Sequence, residues 1–362
     1  MRRQFVANTD VVDYRSDLSG GGVYTDQASD GVAKRRIPRL ALACLLYALS
    51  AALLFPKAYV LLLSMNANRF VPFAIFSALL VVFVQHRLAG RPMPIAEWYR
   101  SYFRRFGMQA LVCSLVFVLG LSAFSTYKTN IPNLVPFYAD AYIAPFDAWL
   151  HGGQAWRLTH AIPPWMGGVV DFIYSRLWFL ILIGTFTVVS MVYQGARLKR
   201  YLWATFLVYS VLGSLMAIGL SSVGPIYYDG FYPDKQFTTL IDTLNANSNI
   251  VYAKQLAMYL LAAERSSEVG VGTGISAMPS LHVAFAVLFA WLLTGWGRIA
   301  AVVGWLYAAF IMFGSVYIGW HYAVDGYLSA GLTSAIWIGL SRYYRLPVLP
   351  PRQRPDTGEM SG

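Results

Sequence analysis

Two short stretches carry residue types that could do chemistry. The first is Ser276-Ala-Met-Pro-Ser-Leu-His282. Pro279 suits the first turn of a helix, where its missing N–H has no intrahelical partner to lose. A glycine run at Gly270, Gly272 and Gly274 leads into it. Unpaired N–H groups and the positive end of a helix dipole are then expected near Ser280 and His282, an arrangement that favours an anion. The second is Gly319-Trp-His-Tyr-Ala-Val-Asp325. His321 and Asp325 are four apart, so on a helix they share a face. A carboxylate there holds one imidazole nitrogen protonated and leaves the other free to attack. The same three side chains could instead contact a metal, but no fourth ligand stands nearby, and phosphate chemistry is the better expectation. Neither a metal nor a cofactor is expected. Gly270-Val-Gly-Thr-Gly274 superficially resembles a dinucleotide loop, yet no βαβ pattern surrounds it.

The elements that must position these residues are set by composition. Of 362 residues, 57% are hydrophobic and only 12% charged, about half the charge of a soluble domain. Apolar stretches reach the roughly 17–25 residues that cross a bilayer. The expected fold is therefore all-α: a polytopic transmembrane helix bundle of about eight spans, near 40–63, 70–85, 108–126, 169–193, 201–221, 279–294, 299–319 and 322–343. Residues 1–36 read as a flexible cytoplasmic tail, 37–345 as the membrane domain and 346–362 as a disordered cytoplasmic tail. The tail is polar and the first apolar stretch too long for a cleavable signal. Cys44 and Cys113 lie within apolar stretches and suggest neither disulfide nor thiolate site.

The net charge of +11 would suggest a nucleic-acid partner in a soluble chain. Here its placement decides otherwise. With both termini cytoplasmic, about 20 of the 28 Lys and Arg residues fall on one side, and every inside segment contributes, as the positive-inside rule requires. That topology puts His282 and His321 together on the opposite, periplasmic or luminal, face. No nucleic-acid partner is expected, and the oligomeric state is left open. Two long outside segments, about 127–168 and 222–278, contain amphipathic stretches such as Thr239–Ala263, suited to the membrane interface. They either cap the bundle or shape the entrance to a site. No internal repeat of the transporter kind is present.

Pro279-Ser-Leu-His282 and His321-Tyr-Ala-Val-Asp325 resemble the second and third signatures of the PAP2 (type 2 phosphatidic acid phosphatase) superfamily. The Pro-Ser-Leu-His form is closer to the inositolphosphotransferase branch, which includes the inositol phosphorylceramide synthases, than to the phosphatases. The resemblance implies a PAP2-like core in which His321 attacks phosphorus and Asp325 orients it. It further implies that His282 serves as acid and base, with Ser280 and nearby N–H groups holding the phosphoryl oxygens. The implied function is a membrane phosphotransferase that moves a phosphoryl-bearing head group, through a phosphohistidine, from a lipid phosphate or phospholipid donor to a lipid acceptor. The nearest variant uses water as acceptor and is a lipid phosphatase; a non-catalytic transporter or lipid-binding protein is the alternative from another class. Two cationic marks of the phosphatases do not stand out: no Lys-x6-Arg-Pro is found, and Gly314-Ser315 occupies the place of Ser-Arg. Arg176 and Lys254 are the expected substitutes, and Gly224-Pro225, within Ser222-Val-Gly-Pro225, is an expected part of the pocket.

Overall fold

The computed structural model describes residues 39–90, 93–266, 269–270 and 272–349. Both expected tails lie outside the described residues, apart from the stretch up to residue 349. Every described element is helical. In chain order, α1 is Arg39–Leu54, α2 Pro56–Leu88, α3 Ile95–Thr129, α4 Asp140–His151, α5 Met166–Val192 and α6 Gly195–Gly219. Then come α7 Pro225–Phe231, α8 Thr238–Ala246, α9 Tyr252–Ser266, α10 Leu281–Thr294, α11 Arg298–Tyr317 and α12 Ala323–Tyr343. Helices α2, α3, α5, α6 and α11 are each long and apolar enough to cross a membrane, while α1 and α10 are apolar but shorter. The eight expected stretches overlap these seven helices and α12, but five of the eight, not all, have the length and hydropathy to cross a membrane among the described residues. Leucines such as Leu46 and Leu53 stand exposed on α1, as lipid-facing side chains do.

The first hairpin differs from expectation. The break falls at Phe55, and Pro56 opens α2, where a residue without an N–H loses nothing. Residues 64–69, polar enough to read as a loop, continue the 33-residue helix. The reason is tertiary: Asn66 donates to Ser122 (3.3 Å) and Ser125 (3.4 Å) on α3, so its amide is satisfied inside the bundle. Behind it Phe70, Phe117 and Phe186 pack with centroids 4.2–6.2 Å apart.

Helix α10 is apolar all round, and nearly every residue from Val283 to Thr294 is buried, which marks a central helix. It packs between α11, α12 and α6. Two helices widen locally to π geometry, α5 at Ile173–Leu177 and α6 at Val208–Met216, a departure that often accompanies functional sites.

Helix α4 is inside out. Asp140, Ile143, Ala144 and Asp147 face inward, whereas Tyr142 is 73% and Trp149 75% exposed, with Phe146 stacked beside Trp149. A second buried carboxylate does similar work between α5 and α9. Asp171 of α5 accepts from the N–H groups of Val251, Tyr252 and Ala253, each at 2.7 Å. It thereby caps α9 from another helix and breaks the expected continuous stretch Thr239–Ala263 into α8 and α9. An N-terminal carboxylate is favourable for the helix dipole as well as for the orphan donors.

Candidate active site

His321 lies in the turn between α11 and α12, not on α12 itself. The carbonyl of Ser315 accepts from the N–H groups of Trp320 and His321 (3.1 and 3.2 Å), which folds the turn back on α11. Tyr322 is then the N-cap of α12, and Asp325 at N3 accepts from the Tyr322 N–H at 3.0 Å. The helical four-residue spacing is thus replaced by a capping box, yet Asp325 Oδ2 still lies 3.4 Å from His321 Nδ1. The nearer partner of Nδ1 is the Ala277 carbonyl, at 2.6 Å. A carbonyl oxygen only accepts, so Nδ1 carries the hydrogen and Nε2 carries the lone pair of the neutral ring. Asp325 is fully buried, and its Oδ1 has no partner among the described residues.

His282 stands in the first turn of α10. Ser280 is the N-cap, its hydroxyl accepting from Val283 N at 3.5 Å, and its own N–H donates to the Asp325 carbonyl at 3.4 Å. Pro279 therefore precedes the cap instead of opening the helix; the Met278–Pro279 peptide is cis. The His282 ring stacks on Tyr174 (4.4 Å, 13°) and leans on Trp178 (4.1 Å, 34°), whose indole N–H donates to the His282 carbonyl at 3.0 Å. Tyr174 belongs to the π segment of α5 and Trp178 follows it directly, so the widened turn helps set both rings against the imidazole. The ring centres of His282 and His321 are 6.4 Å apart, a gap in which one tetrahedral phosphoryl group can touch both.

The two expected cations, Arg176 and Lys254, make their contacts with groups other than the two histidines. Arg176 is exposed and lies over the Tyr252 ring at 4.1 Å. Lys254 donates to the carbonyls of Asn247 (2.9 Å) and Asn245 (3.5 Å) near the end of α8. Neither side chain is drawn to the histidines by the contacts it makes. Lys128, in the last turn of α3, is the cation nearer the site. Its ammonium donates to the Gly272 carbonyl at 3.5 Å and is close enough to His282 for their charges to interact. Thr129 and Thr273 join the same segments through their hydroxyls at 3.0 Å. Gly274 has φ +89°, and a Cβ there would collide with the Lys128 carbonyl, so the glycine run rests directly on the C-terminal end of α3. A sequence signal for Lys128 exists in degraded form. Lys128-x6-Val135-Pro136 keeps the lysine, the spacing and the proline of Lys-x6-Arg-Pro and replaces only the arginine.

Gly224 and Pro225 lie at a junction of four segments. The Ser221 carbonyl accepts from Tyr138 N and Ala139 N, Ser222 O from Ala277 N, and Gly319 O from Ile226 N, all within 2.8–3.1 Å. Gly224 has φ +83°, and a Cβ would fall 2.6 Å from the Trp320 carbonyl. Asp140 clasps this junction: its carboxylate accepts from Val223 N (2.8 Å), Gly224 N (2.9 Å), Tyr322 Oη (2.9 Å) and Tyr232 Oη (3.1 Å). Burial pushes its carboxyl above the ordinary carboxylate range, against the pull of those four donors. Nothing in the local sequence distinguishes this aspartate from a solvated loop residue.

Among the described residues, no group of three or more His, Cys, Asp or Glu side chains is arranged to hold a metal ion. Cys44 and Cys113 are buried free thiols. A family model described as the PAP2 superfamily matches residues 141–340. No curated protein and no solved structure matches the chain.

Proposed function

The chain belongs to the PAP2 superfamily, and on that premise we propose that it is an integral-membrane lipid phosphotransferase working through a phosphohistidine on His321. The observation that carries this reading is the Nδ1–H···O=C bond from His321 to Ala277, which commits one ring nitrogen and leaves Nε2 free to act as nucleophile, with a second imidazole centred 6.4 Å away. In the first half-reaction Nε2 forms a bond to phosphorus while the bond to the donor-lipid oxygen breaks. Protonated His282 gives that oxygen its proton. In the second, neutral His282 takes the proton of a lipid hydroxyl as the oxygen displaces Nε2 from phosphorus. Asp325 lies beside Nδ1 as the ring becomes cationic, a positioning and charge-balancing role. Lys128 and the backbone N–H groups of Leu281 and His282 at the start of α10 supply positive potential for the phosphoryl oxygens. Ser280 acts there chiefly as the cap that presents those groups.

The distribution of basic residues favours a catalytic face outside and both termini inside, and cysteines introduced near Gly274 should then label only from the outer side. The chemistry is tested by quenching purified enzyme during turnover and mapping the phosphorylated peptide. Expected is an acid-labile adduct on His321, absent in His321→Ala. His282→Ala should lose turnover on natural lipids by roughly 10²–10⁴-fold, the usual worth of an acid–base group, yet still form the adduct from a donor with a good leaving group. No adduct from any lipid or activated donor would end this reading. Mass spectrometry of the lipid products then separates transfer to a lipid hydroxyl from hydrolysis by water, the phosphatase outcome of the same covalent step. A panel left wholly unchanged would return the chain to the non-catalytic class.

A further inference from the structure

The two histidines are held in opposite ways. His321 has polar partners at Nδ1, the Ala277 carbonyl and the Asp325 carboxylate. Among the described residues, the hydrogen bond that reaches His282 from another element ends on its backbone carbonyl, not on its ring. The ring meets aromatic side chains instead. Tyr174 is stacked on it at 4.4 Å and 13°, Trp178 leans on it at 4.1 Å and 34°, and Trp320 stands edge-on at 6.2 Å and 87°. The titratable groups whose charge reaches it are Lys128 from α3 and His321 from the turn before α12. Both are cations or become cations during the reaction, while Asp325 is turned to His321.

Such surroundings suit a ring that must change charge. As acid and then base, His282 is cationic in one half-reaction and neutral in the next. A hydrogen-bond partner would fix the imidazole by occupying a nitrogen. Stacked rings fix its plane and leave both nitrogens free. The negative face of Tyr or Trp also attracts a cation within about 6 Å of the ring centre, and both rings lie inside that distance. Tyr174 and Trp178 are themselves buried, so the attraction acts away from water, at the strong end of its range. Other contacts serve the same placement. Gly314 of α11 backs Tyr174, and a Cβ there would stand 3.3 Å from the tyrosine ring. The Trp178 indole N–H fixes the His282 carbonyl at 3.0 Å, so one residue holds both the backbone and the ring. Tyr174 Oη lies near Ser280 without forming a hydrogen bond among the described residues. The part of Tyr174 in use is therefore its face.

We propose that Tyr174 and Trp178 are positioning residues that form an aromatic cradle, holding His282 in plane and as an imidazolium by cation–π attraction, in place of the carboxylate that serves His321. This rests on the acid–base role given to His282 above and is separable from the covalent step. The His282 ring is titrated by NMR in nanodiscs with isotope-labelled histidine, its signal assigned by its loss in His282→Gln. Turnover of a phospholipid donor is followed over the same pH range. Tyr174→Leu keeps bulk and removes the face. The His282 midpoint, and the limb on which turnover falls as that proton is lost, should both move down by about one pH unit. Turnover above both midpoints is then about tenfold lower, while the His321 adduct still forms from a donor with a good leaving group. Trp178→Leu should move the midpoint the same way, and Tyr174→Phe, which keeps the face, should restore it. An unmoved midpoint in both leucine variants would overturn the cradle. So would a shift in Tyr174→Phe equal to that in Tyr174→Leu, which assigns the effect to the hydroxyl. No adduct in the wild type from any donor is the failure of the parent reading, and the titration still decides whether the rings hold the proton.

Discussion

Replacing Asp140 with asparagine tests whether the junction around Gly224 is what holds His321 in place. Four donors converge on the carboxylate, two to each oxygen: Gly224 N and Tyr322 Oη on Oδ1, Val223 N and Tyr232 Oη on Oδ2. Asparagine has one acceptor oxygen. Whichever way its amide turns, an NH₂ group faces one backbone N–H that cannot rotate away, although the tyrosine hydroxyls can turn to accept. One orphaned buried N–H costs about 1–3 kcal/mol. At roughly 2–4 °C per kcal/mol for a medium-sized domain, Asp140→Asn should unfold about 2–12 °C below wild type. Asp140→Ala orphans both backbone donors and should cost more. Because Tyr322 adjoins His321 and the Trp320 carbonyl abuts Gly224, the initial rate should also fall, by at least about tenfold. Tryptophan fluorescence melts in lipid nanodiscs and initial rates on one phospholipid donor provide both readouts. A variant that melts within 1 °C of wild type and turns over normally would refute the clasp.

Gly224→Ala must either shift the Trp320 carbonyl or abandon φ +83°; it should reduce adduct formation on His321 by more than tenfold while the chain still inserts, as measured by adduct yield per membrane-embedded protein. Lys128→Gln should raise KM for phospholipid donors about tenfold, with Lys128→Arg recovering part of the loss; unchanged kinetics in Lys128→Gln would remove it from the phosphate site. Burial holds the His160 imidazole below its ordinary 6.5, with Nδ1 donating to the Trp156 carbonyl and Nε2 buried without a partner. The unfolded chain therefore binds this proton first, so stability is full above about pH 6.5 and declines as pH falls below it; His160→Phe should flatten that slope in melts between about pH 7.5 and 5.5. A chelator should leave turnover unchanged, and activity restored by added zinc after chelation would argue for a metal at the histidine pair.

Hydropathy makes the helical membrane bundle legible, because only helices satisfy backbone groups locally in lipid. The two histidine stretches are legible for a related reason: a cap and a capping box are local devices written in adjacent residues. What the local pattern hides is who answers from a distance. His321 looks paired with Asp325 by spacing, yet its nearest partner is the Ala277 carbonyl, 44 positions away. The polar run 64–69 looks like a loop until Ser122 and Ser125 are placed beside Asn66. Lys128 is marked only by a degraded signature, Lys128-x6-Val135-Pro136, and its approach to His282 depends on the glycine run folding back on α3. Asp140, Asp147 and Asp171 are concealed because an aspartate outside a span ordinarily signals solvent, and here each accepts backbone N–H groups from a distant segment.

Helix α4 presents Tyr142, Phe146 and Trp149 outward and Asp140 and Asp147 inward along 12 residues. A rod only about 18 Å long thus turns exposed aromatic rings to one side and buried, hydrogen-bonded carboxylates to the other. A tilt imposed on the aromatic side would carry Asp140 with it and so act on the clasp. Where those rings meet lipid, activity is expected to differ between micelles and bilayers, which initial rates measured in both would check.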